Sequence, residues 1–158
     1  MLKKQTKWKV LTAMAVIGFS CQNSQSQENW SSEMEITTYN GGGMRPESKT
    51  VIIKDSLGTY IHWLQPKRDT LAFTLSKKEL DDLLKEINAV RFRTIISAAT
   101  GTVAYDKPTI SVIFKWGGKT HEVSVGATEG IQGDASGFYT VYNYIVALAA
   151  KKTRQPAE

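Results

Sequence analysis

Residues 109–125, TISVIFKWGGKTHEVSV, constrain the fold more than any other stretch of this chain. Two alternating runs flank Gly117-Gly118, and glycine alone takes positive φ at both positions of a two-residue turn without strain. A turn placed there predicts a hairpin in which Trp116 faces Lys119, Phe114 faces His121, Val112 faces Val123 and Ile110 faces Val125. Because side chains alternate, Ile110, Val112, Phe114, Val123 and Val125 then share one face. Thr109, Ser111, Lys115, Thr120, Glu122 and Ser124 share the other, where Ile113 is the one apolar exception. One greasy face and one wet face predict an antiparallel sheet covered on a single side, by helices.

Two segments can supply that cover. Ser76-Lys77-Lys78-Glu79 has the pattern of a capping box, with Leu75 and Leu80 placed for a hydrophobic staple. Leu80, Leu83, Leu84 and Ile87 follow at helical spacing, with Lys77, Lys78, Asp81, Asp82, Lys85 and Glu86 outside. Asp81 and Asp82 are sequence neighbours that point to different azimuths, so they predict a solvated face and not a catalytic pair. Phe138, Val141, Tyr142, Ile145, Leu148 and Ala149 form the second stripe, begun by Asp134 or Ser136 and closed by Lys151 and Lys152.

The remaining strands are read at residues 35–39, 49–54, 59–64 and 71–73. Residues 40–43, 55–58, 66–69 and 126–137 read as turns or loops. Residues 92–108 are ambiguous, with 93–99 a turn or a short strand. A shift of 61 residues lays Val51-Ile52-Ile53-Lys54 over Val112-Ile113-Phe114-Lys115, and Leu80, Leu84 and Ile87 over Val141, Ile145 and Leu148. The expected fold is therefore α+β: a mainly antiparallel sheet with two amphipathic helices packed on one face, and the order of elements suggests a tandem β-β-α duplication. A chain of 158 residues suffices for one such domain and not for two sizeable ones.

The N-terminus has a separate character. Lys3, Lys4, Lys7 and Lys9 precede an apolar run at residues 10–19, which is about half the ~20 residues of a membrane span. Residues 1–20 are thus expected to be an export signal, residues 21–32 a flexible polar tether, residues 33–152 the domain and residues 153–158 a frayed tail. Trp30, near the end of the tether, is expected to anchor on the domain, or else to touch a membrane surface. Without those four lysines, 16 basic residues oppose 15 acidic ones. That balance leaves no basic footprint for a nucleic acid.

Cys21 is the only cysteine, so no internal disulfide can form. Ile17-Gly18-Phe19-Ser20-Cys21 resembles the lipobox of bacterial lipoproteins, although Gly18 stands where the family usually has leucine and Phe19 is bulkier than usual. The resemblance implies that Cys21 takes a diacylglycerol and becomes the mature N-terminus. Gln22, in place of the aspartate that holds such proteins in the inner membrane, implies the outer membrane, facing the periplasm. The other reading is a free or buried thiol with ordinary cleavage nearby, for example after Ser26, which would leave a soluble periplasmic or secreted protein.

Chemistry-bearing motifs are few. The glycines at 41–43 and 126–137 are followed by no Gly-Lys-Ser/Thr, and Glu129 and Asp134 would repel phosphate. His62 and His121 both fall on strands, and a zinc site wants three or four ligands. No hydrolase, zinc-protease or dinucleotide fingerprint is present. The expectation is a non-enzymatic domain with no cofactor and no metal.

The order of elements looks like that of small envelope domains built from a tandem hairpin-and-helix unit, such as the β-lactamase inhibitor protein family and the small outer-membrane assembly lipoproteins. Residues 35–151, with the capped helix, Tyr105-Asp106-Lys107-Pro108 and the Gly117 hairpin, resemble uncharacterised bacterial envelope lipoprotein domains. That resemblance carries no activity and no functional residues. The functional expectation is a lipid-anchored binding or scaffold module contacting another envelope protein, with Trp63 and Trp116 as contact residues. Its rival is a periplasm-facing hydrolase of glycan or peptide using His62 or His121.

Overall fold

The computed structural model describes residues 28–101 and 106–154. In chain order they form β1 (Glu35–Gly41), β2 (Glu47–Lys54), β3 (Leu57–Leu64), β4 (Lys67–Thr74), α1 (Lys77–Ala89), a 3-10 turn (Phe92–Thr94), β5 (Ile96–Ala99), β6 (Thr109–Trp116), β7 (Lys119–Val125), β8 (Glu129–Gln132) and α2 (Ala135–Thr153). Six strands make one sheet in the order β4-β3-β2-β1-β6-β7, with every neighbour antiparallel. β5 and β8 pair antiparallel in a small second sheet.

The central hairpin has the register that its sequence demands. Trp116 pairs with Lys119, Phe114 with His121, Val112 with Val123 and Ile110 with Val125. Gly117 and Gly118 have φ of +49° and +72°. Nothing lies within 4 Å of a Cβ built on either, so backbone conformation and not space requires glycine there.

β1 sits at the middle of the sheet and is flanked by two hairpins. Ile36 pairs with Ile53 on one side and Phe114 on the other, and Thr38 pairs with Val51 and Val112. Residues 61 apart therefore flank the same residue of β1, a geometric counterpart of the sequence offset. The halves then diverge, because β4 extends the main sheet whereas β8 leaves it for β5.

Ile36, Val51, Ile53, Tyr60, Phe73, Val112, Phe114 and Val123 project from one face of the sheet into a single core. Against them lie Leu80, Leu83, Leu84 and Ile87 of α1, with Phe138, Val141, Tyr142, Ile145, Leu148 and Ala149 of α2. Both helices thus cover the same face, as the two apolar stripes predicted.

α1 starts on the predicted capping box. The Ser76 hydroxyl accepts from the Glu79 amide at 3.3 Å, and the Glu79 carboxylate accepts from the Ser76 amide at 2.8 Å. Lys152, near the end of α2, reaches the same carboxylate at 2.8 Å and so ties the two helix ends together. Lys152 first, and then the Ser76 amide, pull the Glu79 carboxyl from its ordinary 4.5 down to about 2. A carboxyl that is more acidic when folded stabilises the fold fully above its unfolded pKa and loses that contribution as pH falls through its folded one. Glu79→Gln should therefore flatten the decline in unfolding free energy between about pH 5 and pH 2. Urea titrations at a series of pH values would measure this, and parallel profiles for variant and wild type would refute it. Asp81 and Asp82 pair separately, with Lys77 at 2.6 Å and Lys78 at 2.5 Å.

Four expectations about loops are corrected. The loop read at residues 40–43 starts only after Gly41, because Asn40 and Gly41 pair with Lys49 and Ser48 within the sheet. The turn read at residues 55–58 narrows to Asp55-Ser56, because Lys54 pairs with Leu57. The loop read at residues 66–69 is mostly strand: Leu64 pairs with Lys67 around Gln65-Pro66, whose peptide bond is cis. Charge misled there, since Lys67, Arg68 and Asp69 lie on an edge strand, where charged side chains keep other chains from adding on. The loop read at residues 126–137 contains β8, which is short and holds Gly130, and whose partner lies some thirty residues upstream.

The other edge of the main sheet is occupied. The Ser97 hydroxyl of β5 accepts from the Ser124 amide at 2.7 Å and donates to the Ser124 carbonyl at 3.1 Å. One side chain thereby satisfies both outward backbone groups of a β7 residue, where an edge would otherwise be open.

Candidate functional site

Among the described residues no helix covers the face of the main sheet away from α1 and α2; only its β7 end is closed, where Glu129 of β8 accepts from the Ser124 hydroxyl and Ser111 and Ser124 are buried. Beyond an outermost row of Thr74, Leu57, Lys54, Glu35, Lys115 and Thr120, the pairings across it give three more rows from β4 to β7. The first is Ala72, Thr59, Ile52, Thr37, Ile113 and Glu122; the second is Thr70, Ile61, Thr50, Tyr39, Ser111 and Ser124. The third begins with Arg68, Trp63 and Ser48. Hydroxyls dominate, and an apolar group of Tyr39, Ile52, Ile61 and Ile113 lies half-buried among them. Trp63 is 39% exposed and marks one end of this face.

That end also carries two further exposed apolar groups. Leu64 is 46% exposed on β3, and Met44 is 82% exposed in the β1–β2 loop. The loop and the β3–β4 turn are joined by the Gln65 amide donating to the Pro46 carbonyl at 3.1 Å.

Trp116 occupies a different place. It lies at the opposite end of the sheet, on the helix side, and stacks on Phe114 with centroids 5.1 Å apart and planes at 16°. The Arg93 guanidinium lies over both rings, 4.7 Å from Trp116 and 5.3 Å from Phe114. Arg93 in turn bonds Glu28 at 2.8 Å, and Trp30 packs on Phe114 at 6.3 Å. Trp63 and Trp116 therefore cannot form one patch. Trp30 is held to the domain, and its amide donates to Asp81 at 3.2 Å. Cys21 lies outside the described residues.

The histidines are also apart. His121 bonds the Phe92 carbonyl at 3.1 Å and meets the Phe92 ring edge-on, which fastens β7 to the 3-10 turn. His62 bonds Glu47 at 2.7 Å, and Lys49 reaches the same carboxylate at 3.3 Å. His62 first, and then Lys49, lower the Glu47 pKa. Both members of the pair are partly exposed on the rim of the sheet. A carboxylate that orients an imidazole is half of a general-base arrangement; the other half is a nucleophile within hydrogen-bond reach of the second ring nitrogen. No such serine, threonine or cysteine contact to His62 occurs among the described residues. Two surface grooves, of about 510 and 350 Å³, are lined by neither histidine. Among the described residues no three His, Cys, Asp or Glu side chains group to hold a metal ion, and no helix is long and apolar enough to cross a membrane.

No protein-family model matches this chain, and no curated protein matches it. The reading of the site therefore rests on its geometry. Tyr39, Ile52 and Ile61 escaped the sequence reading, although a signal for one was present: Ile113 is the odd apolar residue of the central hairpin, and the 61-residue offset places Ile52 over it.

Proposed function

We propose that this chain is a lipid-anchored binding or scaffold module of the bacterial cell envelope, on the periplasmic side of the outer membrane, that contacts another envelope protein through its open sheet face. The observation that carries the reading is the uncovered half-buried group Tyr39, Ile52, Ile61 and Ile113, with Trp63 at its margin. Six strands about 4.8 Å apart and about eight residues long present a face of ~600 Å², against ~800 Å² per partner in a standard interface. Threonine and serine hydroxyls supply adaptable hydrogen bonds around apolar anchors, and aromatic residues concentrate the energy of such contacts. The lipid anchor follows from the lipobox-like segment ending at Cys21.

A photo-crosslinking amino acid at Ile61 is expected to give a discrete protein adduct in intact cells, and the same group at exposed Lys85 on α1 none. Replacing Ile52 with lysine should abolish the Ile61 adduct. Adducts from Lys85 alone, or an Ile61 adduct indifferent to Ile52→Lys, would overturn the open-face reading. For the anchor, Cys21→Ser should leave the domain folded while abolishing palmitate labelling and membrane retention. Unlabelled, soluble wild-type protein beginning at Gln27 would refute it.

The His62–Glu47 pair is the observation that favours the rival hydrolase reading. His62→Ala separates the two: it should leave the crosslink intact, whereas a hydrolase would lose its turnover of glycan or peptide.

A further inference from the structure

The way the chain enters the domain sets a limit on how the domain can stand on a membrane. From Glu28 onward the polypeptide is fastened: Glu28 to Arg93, the Trp30 amide to Asp81, the Trp30 ring to Phe114, and Met34 buried. All of these fastenings lie at the end of the sheet that carries the Gly117-Gly118 turn and the Asp55-Ser56 turn. Six residues separate Cys21 from Glu28, and the seven Cα-to-Cα steps between them span at most ~25 Å at full extension. An eight-residue strand such as β2 is itself about 26 Å long. A domain standing upright on its far end, with Met44, Trp63 and Leu64 at the membrane, would need that segment stretched to its limit along the whole strand length.

The near end has the side chains of a membrane–water interface. Leu57 is 63% exposed at the tip of the β2–β3 hairpin, beside its pairing partner Lys54. Lys54, Lys115, Lys119 and Trp116 surround the groove of about 350 Å³, together with Glu33 and Glu35. Glu35 is engaged by Lys115 at 2.7 Å, whereas Lys54 and Lys119 make no ion pair among the described residues. Two lysines thus remain for phosphate oxygens, against Glu33 and the tip residue Asp55. Lysine lays its alkyl stem along apolar surface with the ammonium at the headgroups, and tryptophan concentrates at that depth.

We propose that this end of the domain rests on the phospholipid bilayer, with Lys54 and Lys119 at headgroup phosphates and Leu57 and Trp116 at the acyl boundary, so that the Met44–Trp63–Leu64 tip stands away from the membrane. The inference depends on the lipid-anchored reading. Near balance of charge makes the contact weak alone. A short covalent tether offsets this, because it holds the surface at a local concentration of order millimolar. The orientation presents the open face side-on and the exposed tip outward, which is where an envelope partner can reach them.

The test uses the lipidated full chain in vesicles of phosphatidylethanolamine and phosphatidylglycerol, carrying a nitroxide at Leu57→Cys, Lys119→Cys or, as the far-end control, Leu64→Cys. Relaxation by dissolved oxygen against a water-soluble nickel chelate reports depth. The expected result is an oxygen-to-nickel ratio several-fold higher at 57 and 119 than at 64, with 57 falling towards 64 in a Lys54→Glu/Lys119→Glu background. Equal, water-like ratios at all three sites in vesicle-bound protein would overturn the orientation, as would a higher ratio at 64. Failure of the wild-type chain to take up palmitate and float with vesicles would instead remove the lipid anchor itself.

Discussion

Gly58→Ala is expected to destabilise the domain by about 1–3 kcal/mol or more, a large effect for one methyl group. Gly58 lies on the core face of β3, paired with Ile53 on one side and Phe73 on the other. A Cβ built there would sit 2.1 Å from Cε2 and 2.2 Å from Cζ of Phe73. The Phe73 ring, only 8% exposed, thus occupies the space that any other residue at 58 would need. Phe73→Ala alone should cost about 3–5 kcal/mol through lost burial and a residual cavity. The two changes should couple. Once the ring is gone the alanine methyl meets no obstacle, and Gly58→Ala in the Phe73→Ala background should be nearly neutral or stabilising. Chemical denaturation of the four proteins measures the coupling directly. Strictly additive losses would show that the ring and the missing side chain do not share one space.

Leu84→Ala should cost about 2–5 kcal/mol, whereas Ser76→Ala on the same helix should cost about 1 kcal/mol. Leu84 is fully buried, in the cluster that joins α1 to Ile36 and Ile53 and to α2. Truncating it removes transfer free energy and leaves a cavity whose walls are strands and a second helix, which cannot collapse freely. Ser76 satisfies one helix-end amide at the surface, where water can partly replace it. Its loss also leaves the Glu79–Lys152 tie in place. Equilibrium unfolding in urea at neutral pH separates the two. Equal and negligible losses would mean that α1 does not hold the sheet as described.

These energetics bear on the function proposed for the open face. A sheet whose stability comes from one densely packed side can leave Tyr39, Ile52, Ile61 and Ile113 on the other for a partner, without depending on them to fold. Substitutions on that face should therefore change binding far more than unfolding midpoints. The reverse holds for Gly58, Phe73 and Leu84.

What the sequence determined by itself was local and periodic. Alternation around Gly117-Gly118 fixed the hairpin register, because a period of two allows no slip without turning every apolar side chain to water. Spacing of three and four fixed both helix stripes, and Ser76 with Glu79 fixed where α1 begins. What only the tertiary structure decided depends on residues far apart in the chain. Nothing local says that β1 lies between β2 and β6, that Ser97 closes the β7 edge, or that Glu129–Gln132 is a strand, since each depends on a partner the segment does not contain. The candidate site divides in the same way. Trp63 could be singled out as a large aromatic on a strand. That it shares a face with Tyr39 and Ile61, while Trp116 lies under Arg93 at the other end, follows from strand order and twofold alternation acting together.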